Sequence, residues 1–291
     1  MKLITWNVQW CRGCDGRVDP ARIVEHARAL ADFDVLCLQE VAHNFPGLAG
    51  SSGENQFDEL ARLLPGHHAV EGIAVDLPEG TGGRGRFGNM VLSRLPVLRV
   101  LRHQLPWPVS TGKPGMPRML LEVVVASPLG HVRVMTTHLE YYSATHRSAQ
   151  VEAIRRVHAQ SCAHAVRDAQ LGDIEKSGGR RMAGNPFDRH PQPATAILTG
   201  DFNFKPDDVL HQRMQARLDA DGPRLVDSWS IANPALVHQA TIGVHDRVQW
   251  PSAYACDFIY VTEDLGPRVR RVDVHAGTQA SDHQPVLIEL A

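Results

Sequence analysis

Apolar residues in this chain come in short bursts bordered by turn residues. Runs rich in Val, Ile, Leu or Thr predict strands at Lys2–Val8, Asp34–Gln39, His67–Val75, Gly88–Ser93, Val97–His103, Arg118–Ala126, His131–Thr137, Thr195–Thr199, Ala255–Thr262, Arg268–His275 and Pro285–Leu290. Helical spacing is rarer. Asp19-Pro20 supplies an N-cap and a proline at the first helical position, and Ile23, Ala27 and Leu30 then mark one face. Phe57, Leu60, Ala61 and Leu64 predict a second short helix, stopped by Pro65-Gly66. The longest is expected over about Thr145–Ala169, with Val151, Ile154, Val157 and Val166 on its apolar side. A fourth is expected over Asp207–Leu218, capped by the aspartates after Pro206. Strands outnumber helices, and helices fall between strands only in places. That pattern suits two mixed sheets packed face to face with helices outside, in one domain over residues 1–291.

Three stretches read as loops with room for function: Asp76–Phe87, Leu105–Pro117 and Leu171–Pro193, the last containing Gly178-Gly179-Arg180-Arg181. Composition narrows the class. The 291 residues are 43% hydrophobic and 21% charged, which excludes a disordered chain. Lys+Arg 30 against Asp+Glu 32 leaves a net charge of -2, which removes the strongest electrostatic reason for tight non-specific nucleic-acid binding. No apolar run approaches the ~20 residues of a membrane span, and MKLITWNVQW has no long apolar region of a signal peptide. A cytoplasmic protein without a membrane span is expected. Of the five cysteines, Cys37 and Cys256 lie in apolar runs that suit free buried thiols. Cys11 and Cys14 form a CxxC with no second pair, which reads as plain loop.

The candidate chemistry gathers where apolar strands stop. Asn7 ends the first strand, Glu40 follows Val35–Gln39, and His138 follows Val134–Thr137. Asp201 and Asn203 follow Ile197–Thr199, Asp257 interrupts Ala255–Tyr260, and Asp282 and His283 precede the last strand. Taken singly, most have ordinary readings as solvated strand ends, turns or core histidines. Asp257 is the exception: a carboxylate in a strand fit for burial needs a partner, and His283 could supply it.

In order, Trp6-Asn7, Leu38-Gln39-Glu40, Gly88-Asn89 with Leu92-Ser93-Arg94, Thr136-Thr137-His138-Leu139, Gly200-Asp201-Phe202-Asn203, Asp257-Phe258-Ile259-Tyr260 and Ser281-Asp282-His283 form a specific set. From Leu3 to about Leu290, the chain resembles the endonuclease/exonuclease/phosphatase superfamily of metal-dependent phosphoesterases. The resemblance implies a four-layer α/β sandwich with the site at one end of the two sheets. It implies Glu40 as the main ligand of a divalent cation, assisted by Asn7 and Asp282. Oxygen donors without a thiolate cluster favour Mg²⁺ or Mn²⁺. Asp201 would orient and deprotonate the attacking water, and Asn203 would help hold it. His283, kept in place by Asp257, would contact the scissile phosphate, with His138 as the second histidine. Asn89, Arg118 and Arg147 match positions expected to bind substrate or orient the site.

The branch is less sharply marked. Trp6-Asn7-Val8-Gln9 and Gly200-Asp201-Phe202-Asn203 differ from the patterns usual in AP endonucleases, and His138 resembles the DNase-I-like, sphingomyelinase and deadenylase branches. The expected activity is metal-dependent phosphodiester hydrolysis, by a nuclease or nucleotide phosphodiesterase acting on nucleic acid or a nucleotide. No stable protein partner is implied. The alternatives are a phosphatase or a sphingomyelinase/phospholipase-C-like hydrolase and, more remotely, a binding module that has lost catalysis.

Overall fold

The computed structural model describes residues 1–79, 83–109, 112, 114–175, 190–218 and 221–291, without the side chains of 171–175. The strands, in chain order, are β1 (Lys2–Asn7), β2 (Val35–His43), β3 (His68–Pro78), β4 (Arg84–Ser93), β5 (Val97–Gln104), β6 (Met119–Ser127), β7 (Gly130–His138), β8 (Ala196–Asp201), β9 (Leu225–Asp227), β10 (Asp257–Thr262), β11 (Val269–Val274) and β12 (Val286–Leu290). The helices are α1 (Pro20–Leu30), α2 (Gln56–Leu63), α3 (Ala144–Glu175), α4 (Val209–Gln215) and α5 (Ser228–Ala232).

The strands form two six-stranded sheets, in the orders β11-β12-β1-β2-β4-β3 and β5-β6-β7-β8-β10-β9. Both are mixed, because β1–β2 and β7–β8 pair in parallel while their other neighbours are antiparallel. Leu3, Cys37, Val91, Leu121, Val134, Ile259 and Ile288 fill the space between the sheets. The alternate residues Ile4, Trp6, Leu36 and Leu38 face outward under Ile23, Val24, Phe57 and Leu60 of α1 and α2. On the opposite side Leu120, Met135, Leu198 and Phe202 lie under Val151 and Ile154 of α3 and Met214 of α4. The result is a four-layer sandwich. Central strands covered on both faces read as continuous apolar runs, which is why the sequence marked them clearly. The caps are as expected: Asp19 accepts from the Arg22 amide and Asp208 from the Leu210 amide.

Some expectations need correction. Most of the Asp76–Phe87 loop is strand, since β3 and β4 pair from His68↔Ser93 out to Pro78↔Arg84. The outer half of this ribbon carries Asp76, Arg84, Gly85 and Arg86, so no apolar alternation reveals it. Arg84 there donates to Asp76 at 2.6 Å. Helix α3 runs several residues past Ala169. Val166 is exposed, as are most of the side chains from 163 to 170 of this helix. The short β9 and α5 were not foreseen; three and five residues are too few to show a period. The Gly178-Gly179-Arg180-Arg181 stretch lies outside the described residues. Among the described residues, no helix is long and apolar enough to cross a membrane, and all five cysteines are free.

Candidate active site

Register brings the polar residues of the second sheet into one row. His138 pairs with Asp201 across β7–β8, and Asp201 pairs with Asp257 across β8–β10. Gly200 makes the approach possible: at its φ of +142° a Cβ would sit 1.9 Å from the Thr137 carbonyl oxygen. In the first sheet, the pairing of β2 with β4 slips between Leu38 and Val41, and Glu40 at that bulge has φ +61°. A bulge of this kind re-aims a side chain, and Glu40 lines the cleft. Gln9, Trp10 and Cys11 are also left-handed, at φ +46°, +45° and +59°, and Asn203 is at +53°. Each such residue costs about 1–3 kcal/mol, and Gln9, Trp10, Glu40 and Asn203 line the cleft, whereas Asn44, at φ +55°, lies away from it.

Hydrogen bonds tie the two sheets together. Asn7 Nδ2 donates to Glu40 Oε1 and to Asp201 Oδ2, both at 3.0 Å. The Gln9 amide donates to Asn7 Oδ1 at 3.1 Å, while Gln9 Nε2 donates to Asp282 Oδ2 at 2.8 Å. Trp250 Nε1 reaches the same Asp282 oxygen at 3.0 Å. His283 Nδ1 sits 2.8 Å from Asp257 Oδ2, which leaves its Nε2 3.8 Å from Asp201 Oδ2. His138 Nε2 lies 3.4 Å from that oxygen and its Nδ1 3.7 Å from Glu40 Oε1. The other Asp201 oxygen accepts from the Asn203 amide at 3.0 Å, and Asn203 Nδ2 donates to the Leu139 carbonyl at 2.9 Å. Glu40, His138, Asp201, Asn203, Asp282 and His283 all line a cavity of about 410 Å³.

Crowding shifts the charges. Burial, and then the charge of Asp282, push the Glu40 carboxyl up to about 7. Burial and the neighbouring Asp257 push Asp201 up to about 6. For His283 burial works the other way, but Asp257, Asp201 and Asp282 outweigh it and hold the imidazole well above its ordinary range. His138 is held well below its ordinary range by burial, with Arg118 and His283 adding to the effect.

The residues fit a hard divalent cation. Buried carboxylates that repel one another are relieved by a cation among them, and the oxygens of Glu40 and Asp282 are donors such a cation takes. Asn7 turns its amide nitrogen toward Glu40, so it would have to turn its oxygen to join them. Among the described residues, two further groups gather three ligand atoms within 4.8 Å: Asp201–Cys256–His283 and His211–Asp227–His238. Burial and the charge of Asp257 push the Cys256 thiol well up, so it offers no thiolate.

The other expected residues are placed differently from one another. Arg118 lines the cleft, buried, 3.6 Å from Glu140 Oε2. Asn89 lies behind it, beside a small void shared with Arg118 and His138, and donates to the Met119 carbonyl at 3.3 Å. Arg147 does not line the cleft; its Nη1 donates to the Glu140 and Tyr141 carbonyls at 2.9 and 2.7 Å. Gln9, Glu140, Tyr141 and Trp250 also line the cleft without having been singled out. Glu140 lies two residues past His138, a position sequence reasoning could have flagged. Trp250 sits in a stretch with no motif.

Residues 4–283 match the model of the Endonuclease/Exonuclease/phosphatase family. The chain belongs to this family. Family members are phosphoester hydrolases, typically dependent on a divalent metal. A comparison with curated proteins returned no match. Among solved structures, an endonuclease/exonuclease/phosphatase from Beutenbergia cavernae is 24% identical with a TM-score of 0.67, covering 100% of this chain and 72% of that one. TDP2 from D. rerio, solved with a single-strand DNA product, is 18% identical with a TM-score of 0.62, covering 100% and 98%. A mannosyl-6-phosphatase from Bacteroides thetaiotaomicron is 16% identical with a TM-score of 0.60, covering 100% and 99%. At these identities the likeness establishes the shared fold.

Proposed function

We propose that the protein is a Mg²⁺- or Mn²⁺-dependent phosphodiesterase that attacks its substrate with an activated water. One observation carries the reading: the strand ends of both sheets deliver two acid–histidine contacts, Asp257–His283 and Asp201–His138, to the cleft that Glu40 and Asp282 line. Asp201 is the base. Its Oδ1 accepts from the Asn203 amide and its Oδ2 from Asn7 Nδ2; Oδ2 is the oxygen that faces both histidines, and on this carboxyl, raised in pKa by burial, it takes the proton of the water. His283 carries positive charge because Asp257 holds Nδ1, and its Nε2 faces the developing charge on the phosphoryl oxygens. His138, kept neutral, donates a hydrogen bond to the same group. Glu40 and Asp282, with Asn7, would hold the cation. When bound, the cation supplies Lewis acidity and neutralises charge on the phosphoryl group.

The diester reading draws on the TDP2 neighbour and its single-strand DNA product. The mannosyl-6-phosphatase neighbour keeps a monoester in the test. The deciding assay follows hydrolysis of bis(p-nitrophenyl) phosphate, the monoester, single- and double-stranded DNA, RNA and sphingomyelin with Mg²⁺ and with Mn²⁺. Diester cleavage that EDTA abolishes, and that Glu40→Ala and His283→Ala each lower at least ~100-fold, supports the reading. Absence of metal-dependent turnover on every member overturns it, and a monoester preference replaces it with a phosphatase.

A further inference from the structure

One end of the cleft is polar in an unusual way. Arg118, Glu140 and His146 are at most 5% exposed, yet Arg118 Nε and Nη1, Glu140 Oε2 and both ring nitrogens of His146 have no hydrogen-bond partner. The Arg118–Glu140 ion pair, at 3.6 Å, is too long to count as one. Buried polar atoms are nearly always satisfied, so a cluster of orphans beside a cleft marks a place built for something else to complete.

Gly115 shows where these groups converge. A Cβ there would meet Glu140 Oε2 and Trp107 Nε1, each at 3.3 Å, and His146 Nδ1 at 3.6 Å. Around this spot stand the most solvent-open aromatic side chains among the described residues: Trp107 at 53%, Tyr142 at 54% and Tyr141 at 42%. Aromatic side chains are seldom left this open together. The Tyr142 amide donates to Glu140 Oε1 at 2.9 Å, so the ring and the carboxylate are held by the same turn. Charge narrows the ligand further. Among the described residues that line the cleft, Arg118 is the only Lys or Arg, against Glu40, Glu140, Asp201 and Asp282. A groove that tracked a long polyanion would be lined with cations.

The geometry points to a recognition subsite for one ring that carries hydrogen-bond donors, a nucleobase or a sugar, next to the scissile phosphoester. The ring stacks on Tyr142 or Trp107 and donates to Glu140 Oε2, while Arg118 faces the phosphate side. This deepens the phosphodiesterase reading and rests on it.

The test compares kcat/KM, with Mg²⁺ and chromatographic detection, for three diesters: cytidylyl-cytidine, a glucose-6-phosphoglycerol diester and the ringless glycerophosphoglycerol. At least one ring-bearing diester should exceed the ringless one about tenfold, the scale of one stacked base, and the better ring names the source. Glu140→Gln and Tyr142→Ala should each pull that ratio down roughly fivefold or more, with Tyr142→Phe restoring it, as expected of a stacking contact. Tyr142 is exposed, so its variants fold even if Glu140→Gln does not. Equal efficiency on all three diesters, or a ratio unmoved by the Tyr142 and Glu140 variants, overturns the subsite while leaving the phosphodiesterase standing. Hydrolysis of none of them, nor of any diester in the broader panel, overturns both.

Discussion

Two aspartate–histidine pairs among the described residues are set at the same distance and do different work. Asp257 Oδ2 and His283 Nδ1 are 2.8 Å apart, as are Asp227 Oδ2 and His238 Nε2. Asp227 is closed. Its Oδ1 accepts from the Trp229 amide, and its Oδ2 accepts from the Ser230 amide and, at 2.6 Å, from Ser230 Oγ, so it caps α5 as well as holding His238. The His238 ring then stacks on Trp229 with centroids 5.7 Å apart. Asp257 is open. Its Oδ1 is buried with no hydrogen-bond partner, and the far nitrogen of His283 faces Asp201 in the cleft. A pair whose carboxylate oxygens are both satisfied by their own fold stabilises that fold. A pair left unfinished at a cleft is available to a substrate.

The largest effects should therefore separate by kind. His283→Ala and Asp257→Asn should each lower diester turnover ~10²–10⁴-fold, measured where circular dichroism shows the variants fully folded. Asp227→Ala should do the reverse. It removes an N-cap and strands the donors of His238 and Ser230, which costs about 2–3 kcal/mol in urea unfolding, while turnover per folded molecule stays at the wild-type level. A large loss of activity in folded Asp227→Ala would dissolve the distinction.

How legible each pair was in the sequence follows from the same physics. Asp257 stood out because it interrupts an apolar strand run, where an unpaired carboxylate is costly. Asp227 did not, because Asp before Ser228-Trp229 reads as an ordinary turn and its strand is only three residues long. The order of motifs marked the residues at the strand ends, and the register then brought His138, Asp201 and Asp257 into one row. What patterning could not show was anything carried by polar stretches. The outer β3–β4 ribbon reads as a loop in the sequence, and Tyr141 and Trp250 belong to the cleft through tertiary packing. Arg147 looked like a substrate contact but braces the turn at Glu140 and Tyr141.

Stability without metal should sharpen the comparison next. The folded Glu40 carboxyl is raised to about 7 from 4.5, by burial first and Asp282 second. The protonated form is thus favoured in the folded state. Its contribution is full below the unfolded value and is lost as pH rises through about 7. Glu40→Gln cannot ionise, so in EDTA its Tm should exceed that of the wild type by a margin that grows from pH 4.5 to 7 and then levels off. The margin at pH 8 should be worth about 2 kcal/mol, discounted because 17% of the Glu40 side chain meets solvent. Asp227 has the opposite sign. Burial would raise it, but the hydrogen bonds and charge of its partners overcome that and hold it below the ordinary carboxylate range. Its stabilisation is present above the unfolded pKa and is lost as pH falls through the folded one. Removing Asp227 should therefore hurt at neutral pH and matter less in acid. A Glu40→Gln protein no more stable than the wild type at pH 8 would mean that the catalytic carboxylates carry no strain.

The smallest expected effect removes one hydrogen bond from a carboxylate on each side. Trp250→Phe keeps an aromatic ring but loses the Nε1 donor 3.0 Å from Asp282 Oδ2. Ser230→Ala loses the 2.6 Å bond to Asp227 Oδ2. Each bond is worth about 1–2 kcal/mol because its acceptor is charged. At Asp227 the whole loss should appear in the unfolding free energy measured in EDTA, since that oxygen lies outside the cleft and serves the cap of α5 and His238. At Asp282 it should appear instead in the Mg²⁺ titration of activity. With one donor gone, Asp282 is held less firmly where Glu40 needs it, and the metal concentration for half-maximal rate should shift a few-fold while Tm moves little. An unchanged Mg²⁺ titration in Trp250→Phe, together with a lower Tm, would place Asp282 on the structural side and leave Glu40 to hold the cation without it.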